Sequence, residues 1–385
     1  MILAGSRTGS SYLFKALSQQ GRFISPAGEE TPFYRQAGVG LMDGPGHSDE
    51  IVSAPANAVL DLIGENLLSD LGLAQDASWS NDLLAQDFLK RLEIQWPKAL
   101  DQEAKGAWQK ALTQRFQAQA EPDGATLYGS WIEELERNGH PVQAHLLGAS
   151  GQHPEKLALI EEPPYVAPVR RAYLEKVDFD RAPLLLKTST NLYRLPLLKA
   201  LFPNATFKWI LLYRNPAATI SALIDGWRSS AFHSYDVSKF WKLNIEGYSN
   251  QVPGGERYWK FDLPPGWLEY RERALEDVCA FQWISACRKM GSLKSSLESF
   301  HEVSYEKLLA EPSDTLRSLC RFSEVEWSPS AEKVAPIMTV EPPQTGKWKK
   351  RFALINKTIH EFSGGEILSR AQNLGYQVRD IEAWP

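Results

Sequence analysis

Short apolar runs followed by helical patterns recur along this chain and restrict its fold more than any other feature. Such runs lie at residues 2–4, 183–187, 206–213 and 300–305, and apolar residues at helical spacing follow each of them. Continuous apolar runs of this length are typical of strands buried on both faces of a parallel sheet. Strands that alternate with helices form layered domains. The sequence therefore predicts an α/β fold with a central parallel sheet flanked by helices.

Residues 38–179 interrupt this alternation. Their pattern is mainly helical, with two apolar repeats at helical spacing and a capping box at residues 130–133. The repeats are Leu84, Phe88 and Leu92, and Trp108, Leu112 and Phe116. A stretch this long is not a simple connection. We therefore expect a core of residues 1–37 and 180–385 that carries a large, mainly helical insertion at 38–179.

Composition excludes several classes of protein. The net charge of −5 over 385 residues gives no support for a nucleic-acid partner. No apolar run approaches the roughly 20 residues of a membrane helix. The three cysteines, Cys279, Cys287 and Cys320, cannot all pair within the chain and have no metal-binding spacing, which favours a reducing compartment. We expect a soluble, cytoplasmic protein that binds neither nucleic acid nor membrane.

The loop at residues 5–11 lies between the first apolar run and a helix, where backbone amides favour an anion. A nucleotide loop of the Walker type has a lysine after its second glycine. Here the cation is Arg7, before Gly9, and the hydroxyls of Ser10 and Ser11 follow. Magnesium–ATP chemistry is therefore not indicated. Two interpretations stay open: an anion site, or a turn in which Gly9 relieves strain and Ser10 caps the helix.

Three cations follow predicted strands. Arg7 comes after the first strand, Lys187 after the second and Arg214 after the third. Taken singly, each is more often a solvated surface charge. Because ligands of such sheets bind at the carboxyl ends of the strands, three cations at one edge predict a ligand with several negative groups.

Four blocks of sequence, in order, resemble the sulfotransferases that use 3′-phosphoadenosine 5′-phosphosulfate (PAPS). Residues 6–11 are similar to the family's 5′-phosphosulfate loop, and residues 210–216 to its 3′-phosphate block. Residues 303–312 resemble its strand–helix block, and residues 345–349 resemble the segment that closes over the nucleotide. The resemblance implies a P-loop NTPase-like sulfotransferase fold. The insertion has no counterpart in the family.

The resemblance also implies roles for individual residues. It assigns nucleotide binding to Arg7, Thr8, Gly9, Ser10, Ser11, Tyr12, Arg214, Ser221, Tyr305, Gly346, Lys347 and Trp348. In it, Arg7 faces the 5′-phosphate, Arg214 the 3′-phosphate, and Lys187 the bridging oxygen whose bond to sulfur breaks. Many members place the serine partner eight positions after the arginine; here that residue is Ala222, and Ser221 comes one position earlier. Packing alone would also explain Tyr12 and Tyr305.

The base that accepts the acceptor's proton is implied by a fifth motif. Members that act on small phenols and alcohols carry a histidine after the second strand, whereas this chain has Lys187-Thr188-Ser189. Gly28-Glu29-Glu30-Thr31 instead resembles the Gly-Glu-Glu-Thr segment of the protein-tyrosine sulfotransferases, which contains a catalytic glutamate. The match implies that Glu30 is the base and Glu29 its neighbour in the acceptor site. His233 is the alternative base.

The function implied is in-line, metal-independent transfer of a sulfonate group from PAPS to a hydroxyl. A sulfonate carries less charge than a phosphoryl group, so side-chain cations can replace a metal. We expect a small-molecule or glycan acceptor in preference to a protein tyrosine, in a site shaped by the insertion. The alternatives are a nucleotide or small-molecule kinase, which predicts a Walker lysine, and a nucleotide-binding module without turnover.

Overall fold

The computed structural model describes residues 1–19, 23–26, 29–40, 42–71, 80–83, 85–86, 89, 102–118, 182–229, 232, 234–328 and 345–385. Several predicted features lie outside the described residues. They are the capping box at 130–133, the repeat of Leu84, Phe88 and Leu92, Gly28 of the Gly-Glu-Glu-Thr segment, and the predicted site residue His233.

Strands and helices alternate along the described residues as the sequence predicts. The strands are β1 (Ile2–Ala4), β2 (Trp209–Tyr213), β3 (Ser234–Asp236), β4 (Tyr258–Lys260) and β5 (Phe300–Ser304). The α-helices are α1 (Ser10–Ser18), α2 (Thr31–Gln36), α3 (Asn57–Asp70), α4 (Gln102–Ala118), α5 (Leu195–Leu201), α6 (Pro216–Arg228), α7 (Leu275–Leu293), α8 (Tyr305–Ala310), α9 (Pro312–Phe322), α10 (Phe352–Glu361) and α11 (Glu366–Asn373).

The central sheet is parallel, in the order β1-β2-β5. Ile2 pairs with Ile210, and Trp209 pairs with Phe300. The predicted strand at 183–187 lies beyond β1, where the Ile2 amide donates to the Leu186 carbonyl at 3.0 Å. It is held by isolated parallel bridges, Ile2 with Lys187 and Ile24 with Leu184, instead of a continuous ladder.

Helices cover both faces of this sheet. Successive residues of β1 and β2 belong to two different hydrophobic cores, because side chains alternate across a strand. One core contains Leu3 and Leu211 with residues of α6 and α7, and the other contains Ile210 and Leu212 with residues of α1 and α9. Each fully buried leucine contributes about 1.5–3 kcal/mol to folding. The fold is therefore the layered α/β arrangement that the apolar runs predict.

Helix α6 begins where the sequence predicts. Pro216 is its first residue, and the side chain of Asn215 accepts a hydrogen bond from the Ala218 amide at 2.7 Å. Proline has a helical φ and lacks the amide that this position would leave unpaired. The cap and the proline together place Arg214 directly at the end of β2.

A long helix from Trp267 to Gly291 is also suggested by the apolar spacing, and this expectation is wrong at its start. Residues Trp267–Tyr270 form a 3₁₀ turn, and α7 begins only at Leu275. The intervening backbone bonds elsewhere: the amide of Glu246 donates to the Arg273 carbonyl, and the Leu275 amide donates to the Glu246 carbonyl. Helical spacing alone does not reveal this competing partner.

Two helices of the predicted insertion are described, α3 and α4. Leu67 of α3 packs in one core with Phe33 of α2 and Leu186, so α3 covers the outer side of segment 183–187. Helix α4 contains the predicted repeat of Trp108, Leu112 and Phe116. No helix among the described residues is both long enough and apolar enough to cross a bilayer.

Candidate active site

The loop at residues 5–11 closes on itself at the end of β1. The Thr8 hydroxyl donates to the Gly5 carbonyl at 2.6 Å, and Arg7 has a left-handed φ of 63°. Gly9, with a φ of 92°, is the N-cap of α1, and no side chain caps this helix. Ser10 is thus the first helical residue, and the alternative in which Ser10 caps the helix is wrong. Gly9 adopts a conformation that a residue with a Cβ disfavours.

Tyr305 lies directly against this loop. A Cβ added to Gly9 would approach the Tyr305 ring to 2.3 Å, so a glycine is required for packing as well as for its backbone conformation. The ring also meets Tyr12 edge-on, with 6.3 Å between centroids. Both tyrosines predicted to bind nucleotide therefore border the loop, at the first residues of α8 and α1.

Lys187 contacts the loop from one side. Its Nζ donates to the Ser11 hydroxyl at 2.7 Å and forms an ion pair with the Glu29 carboxylate. The side chain is only 1% exposed, which fixes its ammonium group between these partners. Because Lys187 ends the segment parallel to β1, the sheet itself places the ammonium beside α1.

Arg214 contacts the loop from the other side. Its Nη1 donates to the Arg7 carbonyl at 3.0 Å, and its guanidinium lies 5.0 Å from the centroid of the Tyr305 ring. The guanidinium of Arg7 in turn stacks on Phe232, 4.4 Å from the ring centroid. The structure thus brings together the three cations that follow predicted strands, all within contact of one loop.

The two adjacent glutamates face different surroundings. Glu29 pairs with Lys187, whereas Glu30 is fully buried and accepts a hydrogen bond from the Asn191 side chain. Burial raises the pKa of Glu30, and the bond from Asn191 and the charge of Lys187 oppose this rise. Glu30 is the N-cap of α2, and Glu29 precedes it. The carboxylate that pairs with the Lys187 ammonium group is that of Glu29, whereas Glu30 interacts with the Lys187 backbone and with its charge.

The predicted 3′-phosphate side is occupied by a pair of charges. Arg351 donates to the Ser221 hydroxyl at 3.1 Å and to the Asp225 carboxylate at 2.5 Å. Arg351 ends the 3₁₀ turn Lys347–Arg351, which follows Gly346. Trp348, in the same turn, is buried, and its ring lies 5.9 Å from the Phe352 ring in a tilted arrangement, so packing accounts for its position.

A buried polar network lies next to the loop. Asp49 accepts hydrogen bonds from Arg194 Nη2 at 2.9 Å, the Tyr235 hydroxyl at 2.6 Å and the Leu263 amide at 2.7 Å. The side chains of Asp49 and Arg194 are completely buried. This network joins the segment after α2 to the start of α5, to β3 and to the residues that follow β4.

Part of the chain matches a known protein family. Residues 155–340 match the family described as the sulfotransferase domain. The matched range includes Lys187, Arg214 and Tyr305, and the loop at 5–11 precedes it. No curated protein sequence matches the chain.

Two solved structures of sulfotransferase domains resemble the chain along most of its length. The domain from the curacin biosynthetic pathway is 16% identical, has a TM-score of 0.39, and is matched over 98% of this chain and 96% of its own. The domain from the Synechococcus PCC 7002 olefin synthase is 13% identical, also has a TM-score of 0.39, and is matched over 98% and 94%.

Sequence reasoning did not identify three side chains in and around this site. Glu306 accepts from the Asn215 side chain and amide at 2.9 Å and from the Tyr376 hydroxyl at 2.8 Å, and so fixes the residue after Arg214. Arg351 and Asp262 were also not predicted. Glu306 lies within residues 303–312, which carry the family resemblance, and Arg351 ends the basic run Lys347–Arg351, so the sequence could have pointed to both. No sequence feature points to Asp262.

Proposed function

We propose that the chain is a PAPS-dependent O-sulfotransferase. The observation that carries this proposal is the contact of two further cations with the loop that contains Arg7: Lys187 at Ser11 and Arg214 at the Arg7 carbonyl. Cations on both sides of a glycine-containing loop suit a ligand with anionic groups at two places. PAPS has a 5′-phosphosulfate and a 3′-phosphate at opposite ends of an adenosine.

The hydrogen-bond donors at this loop also suit the negative charge of PAPS. Guanidinium groups bind phosphate oxygens through paired hydrogen bonds, and the hydroxyls of Ser10 and Ser11 border the same loop. PAPS supplies the sulfonate group that is transferred. In the proposed reaction, Arg7 orients the 5′-phosphate, Lys187 stabilises the negative charge that forms on the departing oxygen, and Arg214 holds the 3′-phosphate.

Glu29 is proposed as the base in place of Glu30. The contact between Glu29 and Lys187 supports this choice, because it holds the Glu29 carboxylate at the edge of the proposed donor site, and a base must lie within hydrogen-bonding reach of the attacking hydroxyl. Glu30 instead accepts a hydrogen bond from the buried side chain of Asn191. The proton of the acceptor hydroxyl then passes to the Glu29 carboxylate as the oxygen attacks sulfur.

The acceptor is proposed to be a hydroxyl of a small molecule or a glycan. A protein tyrosine is the less favoured acceptor, since only the Gly-Glu-Glu-Thr segment suggests it. Helix α3 of the insertion packs beside the segment that carries Lys187, which supports a role for the insertion in shaping the acceptor site.

Ligand-dependent melting tests the proposed donor. We expect 3′-phosphoadenosine 5′-phosphate (PAP), the product left by PAPS, to raise the melting temperature far more than ATP does at the same concentration. Equal shifts with both nucleotides would favour the kinase alternative. Incubation with labelled PAPS and a panel of hydroxyl compounds then tests turnover, and a chain that binds PAP but labels no acceptor would be a binding module.

Replacement of Arg214 tests the 3′-phosphate contact. We expect Arg214→Ala to weaken PAP about tenfold to hundredfold, the usual cost of a lost charge-assisted hydrogen bond, and to leave 5′-AMP almost unaffected. Titration calorimetry with both nucleotides measures the difference. Arg317→Ala is the matched control, because Arg317 is an exposed residue of α9 that pairs with Asp314. Equal losses for both nucleotides in Arg214→Ala would remove Arg214 from the 3′-phosphate.

A further inference from the structure

Asp262 is hydrogen-bonded to the loop at residues 5–11, although it is distant from the loop in sequence. The Ser6 hydroxyl donates to its Oδ1 at 2.7 Å, and the Tyr193 hydroxyl donates to its Oδ2 at 3.2 Å. Ser6 and Asp262 are 256 residues apart in sequence. All three side chains are buried, so water does not compete for these hydrogen bonds. The Ser6–Asp262 contact therefore joins the loop to the residues that follow β4.

The backbone that carries Asp262 is itself held rigidly. Its carbonyl accepts from Trp259 Nε1 at 2.9 Å and from Gln282 Nε2 at 3.0 Å. The same Gln282 nitrogen also donates to the Lys260 carbonyl. The Gln282 side-chain oxygen accepts from Trp227 Nε1 at 2.9 Å. Residues 260–262 are thus tied to α7 and, through Trp227, to α6.

Left-handed backbone occurs on both sides of the Ser6–Asp262 contact. Arg7, next to Ser6, has a φ of 63°, and Phe261, next to Asp262, has a φ of 67°. Such conformations cost about 1–3 kcal/mol in residues other than glycine and persist where surrounding contacts enforce them. A hydrogen bond between the neighbours of the two strained residues is such a contact.

The same segment also supports the Arg7 side chain. The Phe261 ring packs on Gly226, where a Cβ would come within 2.4 Å of it, and lies 5.3 Å from the Phe232 ring. Phe232 in turn stacks under the Arg7 guanidinium. Residues 261 and 262 therefore reach Arg7 by two routes, through the loop backbone and through the aromatic ring beneath the guanidinium.

We propose that Asp262 is a positioning residue that holds Ser6, and through it Arg7, in the geometry that receives the 5′-phosphosulfate. The inference rests on the proposed function, since it takes the loop at 5–11 as the binding site of that group. Asp262 touches neither nucleotide nor acceptor in this account. Its effect is confined to the 5′ end of the donor.

The ionisation of Asp262 gives this role a pH dependence. Burial and the nearby charge of Asp49 raise the pKa of Asp262 to about 6, although the hydrogen bonds from Ser6 and Tyr193 oppose the rise. As the pH falls through this value the carboxylate gains a proton and no longer accepts on both oxygens. We therefore expect the hydrogen bond from Ser6 to Asp262 to be weaker at pH 5.5 than at pH 7.5, where the carboxylate is ionised. Asp49 and Tyr193 are the other titratable groups that interact with Asp262.

Two ligands that differ only at the 5′ end test the inference. We expect Asp262→Asn to weaken binding of PAP about tenfold and binding of adenosine 3′-phosphate less than twofold. Ser6→Ala is expected to give the same pattern, and the double variant no more than the larger single loss, because both changes break one contact. Tyr193→Phe is the matched control: it removes the other donor to Asp262 and is expected to preserve the wild-type ratio of affinities.

The outcomes separate the inference from the proposed function. Equal losses for both ligands in Asp262→Asn would show a general structural role and overturn the inference, as would a Ser6→Ala variant with wild-type affinity for PAP. When the pH is lowered from 7.5 to 5.5, the preference of the wild type for PAP over adenosine 3′-phosphate should fall more than the preference of Asp262→Asn does. The variant serves as the control, because titration of the ligand itself affects both proteins equally. A wild-type chain that binds neither ligand would overturn the proposed function, and the inference with it.

Discussion

Glu29→Gln is expected to lower the rate of sulfonate transfer about 100-fold or more while the affinity for PAP stays within about threefold. A glutamine amide cannot accept the proton of the acceptor hydroxyl, and general-base catalysis contributes about 10²–10⁴ in rate. The amide oxygen can still accept from Lys187, which keeps the ammonium group beside Ser11. Turnover of labelled PAPS and titration calorimetry with PAP measure the two effects on one preparation.

Glu30→Gln is the matched control for this prediction. It makes the same chemical change one residue along the chain, at a carboxylate that faces Asn191. We expect its turnover to remain within a few-fold of the wild type. An inactive Glu30→Gln together with an active Glu29→Gln would return the base to Glu30, the residue that the sequence resemblance implies.

Asp49→Ala is expected to destabilise the fold by about 3–5 kcal/mol, the usual cost when one partner of a buried ion pair is removed. The variant leaves the Arg194 guanidinium completely buried without a carboxylate, and the Tyr235 hydroxyl and the Leu263 amide lose their acceptor. Urea unfolding, compared with the wild type at the same pH, measures the change in the free energy of unfolding.

Asp236→Ala provides the comparison for that measurement. Asp236 pairs with Arg257 near the surface, where the two side chains are 38% and 48% exposed. Solvent-exposed pairs contribute about 0–1 kcal/mol, so we expect a small loss. If Asp49→Ala costs no more than Asp236→Ala, the network around Asp49 does not stabilise the site as its burial indicates.

The parts of the site that the sequence predicts are those set by the ends of strands. Arg214 directly follows β2, and Arg7 lies three residues after β1, which pairs in parallel with β2. Lys187 ends a segment parallel to β1. Parallel strands bring their carboxyl ends to one edge of a sheet, so local patterns suffice to gather these cations. Predictions about Gly9 and Pro216 rest on local backbone preferences and hold for the same reason.

The sequence alone determined the layered α/β core, the order of its elements and the cations at its edge, because apolar periodicity and strand ends are local properties. Only the tertiary structure decided which glutamate meets Lys187 and which carboxylate holds Ser6. Glu29 and Glu30 are adjacent just before α2, and their carboxylates meet different partners, Lys187 and Asn191, from distant parts of the chain. Asp262 reaches the loop through a hydrogen bond between segments 256 residues apart, which no local pattern records.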